Sequence, residues 1–110
     1  MVSIIVKKDA GGQYCGFISS GHAGFAEKGN DVACAAISAL TLTAVLALKK
    51  LTALKPKVHQ NMKAARLECN WTNEPTQVEK SDLIIRMMLL GLNEIRKQYS
   101  KFLKVSEVEG

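Results

Sequence analysis

The first twenty residues contain two short segments with the composition of β-strands. Residues 2–8 are rich in Val and Ile, and they run into Asp9-Ala10-Gly11-Gly12, which is typical of a turn. Residues 13–20 alternate loosely between apolar and polar positions. We therefore predict two strands paired as a hairpin, followed by a glycine-rich loop over residues 21–30.

A long apolar segment follows this loop and predicts a helix over residues 31 to about 54. No charge occurs between Val32 and Leu48, Asp31 suits an N-cap, and Pro56 ends the segment. Because the segment is rich in Ala and apolar nearly all round, we expect it to be central and covered on more than one side, by a sheet and by a second helix or an identical subunit. It is short and diluted for a membrane span, so we expect no membrane contact.

The second half of the chain predicts a strand, a helix and a further strand. Residues 63–71 alternate as a strand, residues 72–75 form a turn, and residues 76–79 match a capping box. The helix then runs to about Tyr99, with an apolar face at helical spacing formed by Ile84, Ile85, Met88, Leu89, Leu92, Ile95 and Tyr99. Residues 102–108 form the last strand. The predicted fold is a small α/β (α+β) sandwich of ββαβαβ order, with one mixed sheet covered by two helices.

Length and charge limit the classes of protein to consider. The chain has 110 residues, which is one domain over residues 1–110. The net charge is +5, and six cations but no acids lie between Val32 and Leu67. Such a run is usually a solvated surface, and it also suits contact with RNA. No aromatic residues interleave with it, which argues against specific nucleic-acid recognition.

Cysteine usage indicates a reducing compartment. Cys15, Cys34 and Cys69 are odd in number and widely spaced, and with no secretory signal we expect free thiols in the cytoplasm. Cys15 and Cys69 lie in predicted strands and are expected to be small core residues. His59 lies in a polar connection and is expected to be solvated. Because these residues have no recognisable ligand spacing, we expect neither metal nor cofactor.

One histidine and one cysteine have the spacing of a candidate catalytic pair. His22 lies in the glycine loop twelve residues before Cys34, which falls in the predicted first turn of the long helix. The unpaired N–H groups of a helix start favour a thiolate, and a nearby imidazolium would favour it further. Such a Cys–His pair can carry out acyl transfer, with the same N–H groups holding the oxyanion.

Several neighbouring residues are candidates for supporting roles. Ser38 lies one turn after Cys34 and either hydrogen-bonds in the site or simply packs as a small residue. Asp31 either only caps the helix or also orients the imidazole of His22. The loop glycines, Gly21, Gly24 and Gly29, allow a peptide backbone to approach, or are ordinary loop residues.

The stretch from Gly21-His22-Ala23 to Gly29-Asn30-Asp31-Val32-Ala33-Cys34-Ala35-Ala36-Ile37-Ser38 closely resembles the signature of the ribosomal-processing cysteine protease (Prp) family. The tight match covers about a fifth of the chain. Relative to the family pattern, Val32 and Ala33 replace Ile and Val, and Ile37 replaces Val, which are mild changes.

The resemblance implies a cysteine endopeptidase with His22 and Cys34 as its catalytic dyad. Members of this family remove the N-terminal extension of bacterial large-subunit ribosomal protein twenty-seven by cutting after an aromatic pair, and they tend to form homodimers. Asp31 and Ser38 match supporting positions of the motif. The expected substrate-binding loop includes Gly21, Ala23, Gly24, Phe25 and Gly29. The alternative function is a non-catalytic ribosome-associated or RNA-binding module.

Overall fold

A computed structural model describes residues 1–21 and 30–109, with only the backbone for residues 30 and 31. These residues form five strands and two helices. In chain order they are β1 (Val2–Lys8), β2 (Tyr14–Ser20), α1 (Asn30–Leu51), β3 (Lys57–Asn61), β4 (Arg66–Asn70), α2 (Val78–Gln98) and β5 (Leu103–Glu109).

The five strands form one mixed sheet, which confirms the predicted fold class. The spatial order is β3-β4-β2-β1-β5. All neighbours are antiparallel except β1 and β5, which pair in parallel from Val2 with Leu103 to Lys8 with Glu109. The parallel pair places the first and last strands side by side, and α2 supplies the crossover connection that leads from β4 to β5.

The sequence analysis missed the edge strand β3, so the element order is ββαββαβ. Its residues are Lys-Val-His-Gln-Asn, and only Val58 is partly buried. An edge strand with so little burial leaves no hydrophobic alternation to detect. The strand predicted over residues 63–71 begins later, at Arg66, because residues 62–65 turn the chain: the Ala65 N–H donates to the Met62 carbonyl at 3.3 Å, and Ala65 has φ +48°.

The core lies between one face of the sheet and both helices. The side chains of Ile4, Val6 and Phe17 from the strands are wholly buried, as are Leu48 of α1 and Leu92 of α2. They belong to one continuous cluster, so both helices cover the same face and the domain has two layers. The predicted apolar face of α2 is confirmed: Ile84, Ile85, Met88 and Leu92 are buried, and Leu89, Ile95 and Tyr99 are partly buried.

The prediction that α1 is covered by the sheet and by the second helix is confirmed: its buried residues join the core on the sheet, and Leu40 lies against Gly91 of α2. On the remaining surface of the helix, Leu42, Leu46 and Leu51 stay 42%, 52% and 66% exposed. By length and composition, residues Val32–Leu51 would suffice to cross a membrane, and a third of that segment is buried. The buried third anchors α1 on the sheet, which is the behaviour of a helix in a folded domain.

The helix ends also differ from their predicted positions. α1 ends at Leu51 because side chains replace its next hydrogen bonds: the Leu54 N–H donates to Thr52 Oγ1 at 3.1 Å, and the Ala53 N–H donates to Gln77 Oε1 at 2.8 Å. The predicted capping box is wrong, because α2 begins after Gln77 with no side-chain cap hydrogen bond. Gln77 instead joins the end of α1 to the start of α2.

Asn73 links four segments at the end of the sheet away from the start of β1. Its Nδ2 donates to Asp9 Oδ2 at 2.9 Å and to the Tyr14 carbonyl at 2.8 Å. Its Oδ1 accepts from Trp71 Nε1 at 3.0 Å and from Ser81 Oγ at 3.4 Å. Trp71 is buried just after β4 and anchors the end of that strand.

We predict that Asn73→Ala lowers the free energy of unfolding by roughly 2 kcal/mol, because it leaves the Trp71 indole N–H without its acceptor and removes the amide donor to the Tyr14 carbonyl. Urea denaturation followed by circular dichroism measures this. Asn93→Ala is the matched control, since Asn93 on α2 makes no side-chain hydrogen bond with any described residue. Equal effects of the two substitutions would contradict the assigned role of Asn73.

Candidate active site

Cys34 lies near the start of α1, at the edge of the core. It is partly buried and packs against the main core and against a small second cluster formed by Ala33 and Phe102. α1 begins at Asn30, so Cys34 is its fifth residue and the predicted N-cap at Asp31 is wrong: Asp31 is the second residue of the helix. Cys34 therefore sits just beyond the four N–H groups that lack intrahelical acceptors, still close to the positive end of the helix dipole.

A cavity of about 290 Å³ opens beside Cys34. Three parts of the chain that are distant in sequence form its walls: the start of α1, the sheet ends near Val2 and Gly21, and the β3–β4 hairpin. The lining residues are Val2, Ser19, Gly21, Cys34, Ile37, Ser38, Thr41, Leu42, Gln60, Asn61, Met62, Ala65, Arg66 and Leu67. Its size is near the lower end of ligand pockets, about 300 Å³, so it suits one or two side chains of a peptide.

Gly21 is held where β2 leaves the sheet. Its N–H donates to the Ala65 carbonyl of the β3–β4 hairpin at 3.0 Å, and its φ is +101°. A Cβ at this position would collide with the Met1 carbonyl oxygen. Glycine is therefore required here by both backbone angle and space. Gly21 and Cys34 line the same cavity.

Most of the predicted loop lies outside the described residues. His22, Ala23, Gly24, Phe25 and Gly29 fall in this part of the chain, and for Asp31 only the backbone is described. Gly21 immediately precedes His22 in the sequence and shares the cavity with Cys34.

Ser38 is exposed and lines the same cavity one helical turn beyond Cys34. Thr41 follows it along the cavity wall, almost completely buried, and donates its hydroxyl to the Ile37 carbonyl at 3.0 Å. The Thr41 hydroxyl is thus engaged by its own helix, whereas Ser38 presents a polar group at the cavity surface.

The cavity residues that sequence reasoning missed come from the β3–β4 hairpin. Gln60, Asn61, Met62 and Arg66 approach Cys34 only through strand pairing, at least 26 residues away along the chain. No motif marks them. β3 also has no hydrophobic alternation that could have identified the strand.

The other two cysteines have different environments. Cys69 is wholly buried, as predicted, and burial raises the pKa of its thiol to about 11. Cys15 is only partly buried, so its predicted core position is wrong; burial followed by the charge of Asp9 raises its pKa. Both therefore hold little thiolate near neutral pH. His59 is exposed as predicted, and within residues 1–21 and 30–109 no group of His, Cys, Asp and Glu is arranged to hold a metal ion.

Comparison of the sequence with known proteins gives consistent matches over nearly the whole chain. The family model described as cysteine protease Prp matches residues 1–104. The ribosomal processing cysteine protease Prp of Bacillus subtilis is 27% identical over 108 residues, covering 96% of each chain. The protein of the same name from Staphylococcus aureus is 24% identical over 106 residues, covering 96% of this chain and 98% of its own.

Solved structures share the same fold. A Staphylococcus aureus ribosomal processing protease Prp in complex with a substrate peptide superimposes with a TM-score of 0.85 at 23% identity, covering 97% of this chain and 99% of that chain. A Streptococcus mutans protein superimposes with a TM-score of 0.83 at 22% identity, covering 100% of this chain and 96% of that chain. Since the family model covers all but the last six residues, the chain belongs to the cysteine protease Prp family.

Proposed function

We propose that this protein is a cytoplasmic endopeptidase that removes the N-terminal extension of large-subunit ribosomal protein twenty-seven by cutting after an aromatic pair. Cys34 is the nucleophile and His22 the general base and acid. The observation that supports this most directly is the cavity that contains both Cys34 and Gly21, the residue before His22, in a chain of the Prp family.

The chemistry follows that of a Cys–His pair. The Cys34 thiolate attacks the scissile carbonyl carbon, and the His22 imidazolium donates its proton to the leaving amine as the C–N bond breaks. The acyl group remains on sulfur as a thioester. The neutral imidazole then takes a proton from water, which hydrolyses the thioester and restores the starting thiolate–imidazolium pair.

The start of α1 offers stabilisation for the oxyanion formed in each step. Backbone N–H groups near Cys34 are fixed by the helix, so they need no reorganisation when the charge develops. We assign Ser38 a supporting role through its hydroxyl at the cavity surface. Because Asp31 lies inside α1, three residues before Cys34, we assign it the other role, which is to orient the imidazole of His22.

The cavity suits an extended peptide with large apolar side chains. Val2, Ile37, Leu42, Met62 and Leu67 supply an apolar lining beside the sulfur. We also assign the predicted loop residues Gly21, Ala23, Gly24, Phe25 and Gly29 to substrate binding, as the resemblance to the family motif implies. A substrate peptide and a covalently linked product peptide are bound in crystal structures of the Staphylococcus aureus protease.

A non-catalytic RNA-binding module remains the alternative from another class. The exposed lysines Lys49, Lys50, Lys55, Lys57 and Lys63 form no ion pair with any described residue. This alternative leaves the cavity at Cys34 without a purpose, so we favour proteolysis. RNA contact by these lysines would accompany proteolysis and would not replace it.

The exposed apolar side of the helices supports a homodimer. α1 and α2 run antiparallel, because Ala53 meets Gln77 and Leu40 meets Gly91. Leu46 of α1 therefore lies level with Leu83 of α2 on the side away from the sheet, and both are more than half exposed. The outer apolar face comprises Leu46, Leu51, Leu83, Met87 and Leu90, all of which are more than half exposed. Several large exposed apolar side chains on one side of a domain indicate an interaction surface.

We predict that iodoacetamide near neutral pH alkylates Cys34 before Cys15 and Cys69. Burial raises the pKa of the other two thiols, and Cys69 is inaccessible in the folded chain. Peptide mass mapping after short exposures measures the order. Labelling of Cys15 ahead of Cys34 would contradict an activated Cys34. Denatured protein, in which all three react alike, is the control.

We predict that the protein cleaves a peptide containing Phe-Phe-Ala, and that Cys34→Ala and His22→Ala each lower kcat by at least about a thousandfold, because catalysis requires the pair. Chromatography of the products after timed incubation measures the rate. Cys15→Ala is the matched control and retains activity. Undiminished cleavage by either dyad variant would refute the mechanism.

Alkylation separates the two function classes in the same preparation. It abolishes proteolysis, whereas electrostatic RNA binding depends on salt and is indifferent to the Cys34 thiol. Salt-dependent RNA binding without cleavage of any peptide would support the alternative function.

We predict that Leu46→Lys converts a dimer to a monomer, since it places a charge in the outer apolar face at a site that is already half exposed in the single chain. Sedimentation velocity at several protein concentrations measures the mass. Thr72→Lys, at an exposed loop position away from that face, is the control and leaves the mass unchanged. A monomeric parent protein would rule out this interface.

A further inference from the structure

Met62 has an unusual environment for a large apolar side chain. It lies in the turn between β3 and β4, where polar residues predominate in proteins, and it is 78% exposed. It nevertheless lines the cavity that contains Cys34. Met62 is therefore an exposed apolar side chain at the rim of the cavity, where a bound molecule can contact it.

The hairpin holds Met62 in place relative to the nucleophile. The Met62 carbonyl accepts from the Ala65 N–H at 3.3 Å, and Asn61 Oδ1 accepts from the Ala64 N–H at 3.1 Å, which closes the turn. The hydrogen bond from Gly21 to the Ala65 carbonyl then ties this turn to the cavity edge. The backbone at Met62 is thus fixed, while its unbranched side chain retains rotational freedom.

The other cavity walls complement Met62. Ile37 and Leu42 of α1 and Leu67 of β4 supply apolar surface to the same space. Gln60 lies opposite Leu67 across the β3–β4 pair, and its amide has no hydrogen-bond partner among the described residues. An extended peptide in this cavity would meet an apolar recess with an unused amide at its edge.

We propose that Met62 is a specificity-determining residue that folds over one aromatic side chain of the pair next to the scissile bond. This rests on the proposed function. A thioether suits the task, because sulfur contacts aromatic rings favourably and the flexible chain adapts to the ring. The cavity volume of about 290 Å³ limits the occupant to one or two side chains, which excludes a folded partner from the recess.

The test compares Met62→Gln, Met62→Leu and Lys63→Ala on three peptides: one with Phe-Phe-Ala and two in which either Phe is replaced by Ala. Met62→Gln keeps the side-chain length but adds a polar amide, and we expect about a tenfold rise in KM on the Phe-Phe-Ala peptide with little change in kcat. Met62→Leu stays within about threefold of the parent on the same apolar-area reasoning. Lys63→Ala changes an adjacent residue of the same turn that does not line the cavity, and it leaves KM unchanged.

The decisive result is non-additivity. On the peptide that lacks the contacted Phe, Met62→Gln should not raise KM any further, because the aromatic ring that Met62 contacts is absent. An equal rise in KM on all three peptides would assign Met62 a structural role and overturn the proposal. So would normal KM values in Met62→Gln, or a change in oligomeric mass, which would identify Met62 as a subunit contact.

These outcomes also separate the two proposals. Cleavage of the peptides by the parent protein with no effect of Met62→Gln overturns the role of Met62 alone. If the parent protein neither cleaves nor binds any of the peptides, the proposed function fails and the role of Met62 fails with it.

Discussion

The packing of α1 on one face of the sheet is the constraint on which the rest of the structure depends. Ile37, Thr41, Val45 and Leu48 recur at three- and four-residue spacing, and all four are buried. Cys34 occupies the next position of this stripe toward the helix start. The hydrophobic burial that attaches α1 to the sheet therefore also determines that Cys34 faces the cavity at the sheet end instead of the solvent.

The cavity exists because elements that are distant in sequence meet at that same sheet end. β2 leaves the sheet at Ser20, β4 enters it at Arg66, and β1 enters at Val2. Antiparallel pairing brings these ends together, with Ser20 opposite Arg66 and Ser3 opposite Ser20. Gly21 joins them, since its N–H is bound to the β3–β4 turn and its α-carbon lies against the Met1 carbonyl. A side chain there would displace either the N-terminal strand or the hairpin.

The two sides of α1 serve different purposes. The side toward the sheet supplies core residues and the cysteine, while the outer apolar face has no covering element within the described chain. A sequence that is apolar all round cannot distinguish these sides, because burial in a core and burial between subunits use the same residues. The apolar pattern therefore predicted the helix and its packing on the sheet and on α2, but not which of its residues stay exposed in the single chain.

The sequence by itself determined the elements whose periodicity is strong, the fold class and the family motif. β1 was predicted with its observed bounds, and α2 with its apolar face, because regular spacing over many residues reflects one continuous interface. The tertiary structure alone decided the rest. β3 pairs at an edge with little burial, the helix ends depend on Thr52 and Gln77, and the cavity wall at Met62 lies 28 residues from Cys34 along the chain. Such contacts follow from strand register and long-range hydrogen bonds, which leave no local pattern in the amino-acid sequence.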